Sequence, residues 1–132
     1  MIAEAFIKQY RKNIKLIENK KKDRLLFMEL ATGTAVRMDG ERVQTSSKGS
    51  LEKKVIEVVQ IDEEIEQLRA ENYRIIKTIE KLNEIDYDIL HKMYIQGVSN
   101  DSVKKEYGKG ASWVTWAKRR ALDNLQMLLD SE

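Results

Sequence analysis

From Ile61 onward the apolar residues of this chain step four, three, four, three: Ile61, Ile65, Leu68, Asn72, Ile75, Ile79, Leu82. A stripe that returns every seven residues runs along one side of an α-helix and must be covered by another helix, so the pattern limits the fold more than any other feature does. With Ile65, Asn72 and Ile79 at the a positions, Ile61, Leu68, Ile75 and Leu82 become d. The one polar member is then an asparagine at a, which specifies register and favours two strands at some cost in stability. Two coverings suit the stripe. A second copy would give a parallel homodimer, whereas the chain's own first helix would give an antiparallel hairpin, and both together make a four-helix dimer.

A first helix is predicted from about Ile2 to Leu30, because Ile7, Tyr10, Ile14, Ile17, Leu25 and Met28 keep close to a three-four alternation. Thr32, Gly33 and Thr34 end that pattern, and the polar run from Thr45 to Ser50 precedes the next one, with Ser50 placed to cap a second long helix. The connection, at about 31–50, contains Val36 and Met38, then Asp39-Gly40, then Val43; either a small hairpin turning at Asp-Gly or a mobile loop fits it. Helices of ~30 residues reach ~45 Å, enough for a hairpin or a coiled-coil stalk over 1–82.

Composition agrees with an all-α chain. Of 132 residues 42% are hydrophobic and 35% charged, and proline is absent. The net charge of +2 is uninformative, since 24 basic and 22 acidic side chains nearly cancel; their order along the chain says more. Lys8, Arg11, Lys12, Lys15, Lys20, Lys21, Lys22 and Arg24 make the first helix basic. Between Leu51 and Leu82 acidic residues outnumber basic ones, and from His91 to Leu122 the balance turns basic again. Opposite charge on the two long helices favours pairing them with each other.

From Ile85 to Leu129 three short helices are expected. Ile85, Ile89, Leu90, Met93 and Tyr94 share the face of the first, which Gly97 closes; Ser99 caps the second, which turns Val103 inward and ends at Tyr107-Gly108. The third starts at Gly110 or Ser112 and carries Val114, Ala117, Ala121, Leu122, Leu125 and Leu129 on one face. Two helices at such a short turn, the second with a polar outer face, form the pattern of a helix-turn-helix that places its last helix in the major groove of DNA. The module is assigned to 83–132. Lys104, Lys105, Lys109, Ser112, Trp113, Thr115, Trp116, Lys118, Arg119 and Arg120 are the candidate DNA-binding residues, the cations for the phosphates and the others for the groove. Trp113 and Trp116 equally suit the module's own core or a partner subunit, and the lysines and arginines a solvated face.

The segment Leu90 to Leu125, LHKMYIQGVSNDSVKKEYGKGASWVTWAKRRALDNL, resembles the fourth conserved region of bacterial primary sigma factors, with its terminal Ala-Leu-x-x-Leu at Ala121, Leu122 and Leu125. Together with the leading helix, the loop and the acidic heptad helix, it is similar to small phage late transcriptional regulators of the ArpU and RinA type. The resemblance implies that Ser112, Trp113, Thr115 and Trp116 face the bases. It also implies a phage or prophage transcription regulator that binds double-stranded DNA and acts near RNA polymerase. Sigma-type helices place Arg, Glu and Gln at those positions, so this chain departs from the sigma manner of base reading.

Other chemistry finds no support in the residues. Cysteine is absent, so there is no disulfide and no thiolate metal site, and His91 stands alone. Gly108-Lys109-Gly110-Ala111-Ser112 lacks the spacing of a phosphate loop, and the carboxylates of the middle helix alternate with lysine and arginine as a solvated face does. No enzyme activity, metal or cofactor is expected, nor a membrane span, and the expected location is cytoplasmic. The alternative to a dimeric DNA-binding regulator is a coiled-coil assembly or adaptor protein, including a small DNA-packaging subunit.

Overall fold

The computed structural model describes residues 2–32 and 48–132; the expected hairpin or loop around Asp39-Gly40 lies outside them. The described residues form helices and turns, with no strand among them. In order they are α1 (Ile2–Thr32), α2 (Lys48–Ile79), α3 (Glu84–Leu90) continued by a π-helical turn (His91–Ile95), α4 (Asn100–Tyr107) and α5 (Ala111–Asp130). The chain is all-α as expected. The second long helix begins at Lys48, so Ser50 lies inside it and not at its cap.

The residues divide into two compact units, one of Met1–Asn13 with Ala70–Glu132, the other of Ile14–Arg69. In the first, Ala3 and Ile7 of α1 and Ile75 and Ile79 of α2 pack with Leu90, Tyr94, Ala121, Leu122 and Leu125, so residues on both sides of position 82 share one core. Small residues at Ala3 and Ala121, both fully buried, let the helices approach closely. Truncating any of the isoleucines to alanine costs about 2–5 kcal/mol.

A polar pair sits inside this unit. Asn13 and Asn72 are both buried; Asn13 Nδ2 donates to Asn72 Oδ1 at 2.9 Å and to Glu71 Oε1 at 3.0 Å, and Asn72 Nδ2 donates to the Tyr10 carbonyl at 3.2 Å. Gln9 completes the set by donating to Asn13 Oδ1 at 2.8 Å. The periodicity predicted Ile14 as the inward residue here. Ile14 is exposed instead, and Asn13 takes the inward place because it answers Asn72.

Polar contacts also tie the helices of this unit together. The Ala3 amide donates to Gln126 Oε1 at 2.9 Å, and the Tyr94 hydroxyl donates to Glu4 at 2.8 Å. Asp86, almost fully buried, lies in the first turn of α3, where the helix dipole favours a carboxylate. Asn83 and Asn124 donate to its Oδ2 at 2.8 and 2.5 Å, while Asn83 Oδ1 accepts from the Asp86 amide.

In the second unit α1 and α2 run antiparallel. Lys20 meets Glu64 at 2.8 Å and Arg24 meets Asp62 at 2.6 Å, so position rises along one helix as it falls along the other. Ile17, Ile61 and Ile65 form its core, with Phe27 and Leu68 half-covered; Leu25 and Met28, expected in the stripe, are exposed. In both units the heptad residues turn toward α1 of the same chain, Ile61, Ile65 and Leu68 in this one, Asn72, Ile75, Ile79 and Leu82 in the other. The hairpin arrangement is the one adopted, and the expected interface residues are spent on it.

Candidate nucleic-acid interface

The α4 and α5 helices are set by their ends. Ser99 Oγ accepts from the Ser102 amide at 3.2 Å and starts α4; Gly108 ends it in the left-handed region at φ +63°. An added Cβ at Gly108 would meet nothing within 4 Å, so glycine is needed there for its backbone angle and not for space. Lys109 and Gly110 complete the turn, and α5 begins at Ala111 after an extended Gly110 that offers no side-chain cap.

Beneath the turn lies a small apolar cluster. Ile89 of α3, Val103 of α4, and Val114 and Ala117 of α5 are buried together, fixing how α4 and α5 cross. A polar clamp holds α4 from the other side. Lys92, at the π-helical turn, pairs with Asp88 at 2.7 Å and with Glu106 of α4 at 2.8 Å, and the Tyr107 hydroxyl donates to Asp88. Hydrogen bonds to Asp88 and Glu106 raise the Lys92 ammonium above the ordinary lysine range. Burial pushes the Asp88 carboxyl up, but hydrogen bonds from Lys92 and Tyr107 outweigh it and hold the group below its ordinary value. Burial and the bond to Asp88 push the Tyr107 phenol up to about 12. None of these residues was singled out as a site from the sequence; the i,i+4 spacing of Asp88 and Lys92 is the one local signal that could have found them.

The candidate residues of the turn and α5 fall into three groups. Ser112, Thr115, Trp116 and Arg119 are exposed, and their spacing puts them on one stripe of α5, with Trp116 54% exposed. The Arg120 guanidinium lies 5.4 Å from the Trp116 ring centroid. Trp113 is half-buried against the apolar cluster, its ring 5.1 Å from that of Tyr107 and 5.9 Å from Lys109 Nζ. Lys118 turns elsewhere, to within 5.6 Å of the Tyr94 ring.

Charge on this face is uncompensated. Asp101 is engaged by Lys104 at 3.0 Å and Glu106 by Lys92, whereas Lys105, Lys109, Arg119 and Arg120 have no ion pair among the described residues. What the arrangement offers a ligand is a row of cations around a helix face bearing two hydroxyls and an indole. That chemistry suits an anionic polymer with flat apolar groups.

Among the described residues no group of three His, Asp or Glu side chains is placed to hold a metal ion, and no helix is long and apolar enough to cross a membrane. Comparison of the chain with protein families, with curated proteins and with solved structures finds no match.

Proposed function

We propose that this chain binds double-stranded DNA through α4 and α5 as a helix-turn-helix, and that it serves as a phage or prophage transcription regulator. The observation that carries the reading is the exposed stripe of Ser112, Thr115, Trp116 and Arg119, flanked by the unpaired Lys105, Lys109 and Arg120 at the end of a short glycine turn. In this reading the first half of α5 enters the major groove and α4 lies across the backbone. Lys105, Lys109 and Arg120 take phosphates, giving affinity that falls with salt. Arg119 reaches guanine O6 and N7, and the Trp116 indole lies against thymine methyls. Trp113 is a buttress, held on Tyr107, and Lys118 is outside the contact.

The resemblance to the fourth conserved region of sigma factors supports the same docking, and that to late regulators supports action beside RNA polymerase. A second reading, an assembly or adaptor protein such as a small DNA-packaging subunit, draws on the exposed apolar residues Leu25, Leu26, Val55, Ile56 and Val59 of the Ile14–Arg69 unit.

A mobility-shift titration with random-sequence duplex at low salt tests the proposal. Binding is expected for the unaltered chain and for Lys21→Ala/Lys22→Ala, and is expected to weaken at least tenfold for Arg119→Ala/Arg120→Ala. No shift at low salt, or equal loss in both variants, overturns it. Selection of bound fragments from random DNA then identifies the operator.

A further inference from the structure

As far as Asn13, α1 belongs to the unit that carries α4 and α5. Along that stretch it passes from the end of α5 to the start of α4. The Ala3 amide meets Gln126 at 2.9 Å, Glu4 accepts from Tyr94, whose ring lies 5.6 Å from Lys118 Nζ, and Arg11 reaches Gly97. Gly97 stands two residues before Ser99, the cap of α4. A Cβ added at Gly97 would lie 2.7 Å from the Arg11 guanidinium carbon and 3.1 Å from one of its terminal nitrogens, so the guanidinium occupies the space that the missing side chain leaves. Seated there, Arg11 makes no hydrogen bond or ion pair with any described residue, although a guanidinium carries five N–H donors. The carboxylates on either side are engaged elsewhere, Glu4 by Tyr94 and by Lys8 at 3.6 Å, Asp101 by Lys104 at 3.0 Å. Lys12, one residue on, is exposed and lies about 100° further round α1. An arginine whose head is already lodged loses less rotamer freedom on meeting an anion than a cation free in solvent.

We infer that Arg11 is a further DNA contact: α1 delivers its guanidinium to a phosphate at the N-terminal end of α4, while Lys105, Lys109 and Arg120 hold phosphates at the turn end. The contact rests on the helix-turn-helix reading, in which α4 lies across the phosphate backbone. The eight residues of α4 span about 12 Å. Each phosphate of one strand occupies only ~3.4 Å of the duplex axis, so Arg11 takes a phosphate of its own and does not share one with the turn. The guanidinium grips that phosphate through two parallel N–H bonds, as its fork geometry allows. Because the contact comes from residue 11, the DNA-binding surface is assembled from both ends of the sequence, and the segment 83–132 by itself lacks part of it.

Fluorescence anisotropy of a labelled random-sequence duplex, titrated with the full chain at several salt concentrations, tests the contact. Arg11→Ala is expected to make the slope of log K against log salt shallower by about 0.9 and to weaken binding at low salt about three- to tenfold. Lys12→Ala removes the same charge and is expected to change the slope far less. The two losses in Arg11→Ala/Arg120→Ala are expected to add, to about 1.8 in slope, because two phosphates are released. The unfolding midpoint of Arg11→Ala should match that of the unaltered chain, since no described residue bonds to the guanidinium. A slope unchanged by Arg11→Ala, in a chain whose binding still weakens with Arg120→Ala, overturns this inference alone. Equal changes in Arg11→Ala and Lys12→Ala overturn it too, as diffuse attraction without a seated contact. If the unaltered chain binds no duplex at low salt, the helix-turn-helix reading falls and this contact falls with it.

Discussion

Replacing Asn13 by alanine tests the hairpin at its most specific contact. Asn13 is fully buried, and its amide is the donor to Asn72 Oδ1 at 2.9 Å and to Glu71 Oε1 at 3.0 Å. Its loss strands the Asn72 oxygen in the seam, and an unsatisfied buried acceptor costs about 1–3 kcal/mol. A further ~1 kcal/mol comes from the space left behind. The expected destabilisation is therefore about 2–4 kcal/mol, seen in a chain of this size as a fall of about 10 °C in Tm. Asn72→Ala should cost less, because Asn13 Nδ2 keeps Glu71 as an acceptor. The double replacement Asn13→Leu/Asn72→Leu removes donor and acceptor together and fills the seam with apolar atoms, so it should cost well under the sum of the two leucine single variants, with coupling of about 1–2 kcal/mol. Urea unfolding followed by circular dichroism at 222 nm gives all four stabilities of that cycle, with Asn13→Ala and Asn72→Ala measured beside it, provided the m-values agree. Additive losses in the leucine cycle would refute the claim that the two asparagines answer each other across the seam.

Three other outcomes follow from the unit of Met1–Asn13 and Ala70–Glu132. Attachment of α4 should hold between about pH 4 and 10. Asp88 is held below its ordinary 3.8, so its contribution is present above that value and lost as pH falls through the depressed one. Tyr107 is pushed up to about 12, so stability declines as pH rises from 10 toward 12 and only the unfolded phenol ionises. Thermal melts across pH check this, and Tyr107→Phe should flatten the alkaline decline; an unchanged profile would argue against the clamp. Gly97→Ala should cost about 1–2 kcal/mol, mostly from its φ of +73°. The added Cβ meets the end of the Arg11 side chain, which can move, so Arg11→Ala should recover only a small part of the loss in denaturant titrations. In acrylamide quenching, a chain with Trp116 alone (Trp113→Phe) should be quenched more steeply than one with Trp113 alone (Trp116→Phe); the reverse order would contradict their placement.

Much of the fold was legible because helices advertise themselves by period. The stripe from Ile61 to Leu82, the cap at Ser99, the stop at Gly108 and the inward face of α5 each rest on a local rule, and each residue stands where the rule puts it. What was not legible depends on residues far apart in sequence. A heptad stripe does not name its partner: hairpin and dimer suit it equally, and it is the placement of Asn72 against Asn13 that turns the stripe toward α1. Asn13 itself reads as a break in an apolar stripe, and Ile14 beside it as the natural member. The π-helical turn has no sequence signature; it is marked in space by the Gln96 amide donating to the His91 carbonyl at 2.9 Å. In the candidate interface the exposure of Ser112, Thr115, Trp116 and Arg119 follows from their position opposite Val114, Ala117 and Ala121. The separation of Trp113 from Trp116 does not, because it depends on Tyr107 lying where Trp113 can lean on it.

The salt dependence of duplex binding tests the central claim most directly. Fluorescence anisotropy of a labelled duplex, titrated at several salt concentrations, gives the slope of log K against log salt, about −0.9 for each phosphate neutralised. If Lys105, Lys109 and Arg120 each neutralise a phosphate, as assigned, they give a slope of about −3 per chain. Arg120→Ala should make it shallower by about 1 and weaken all sequences alike. Absence of binding at low salt, or a slope unchanged by removing Arg120, would contradict the assignment of this face to DNA.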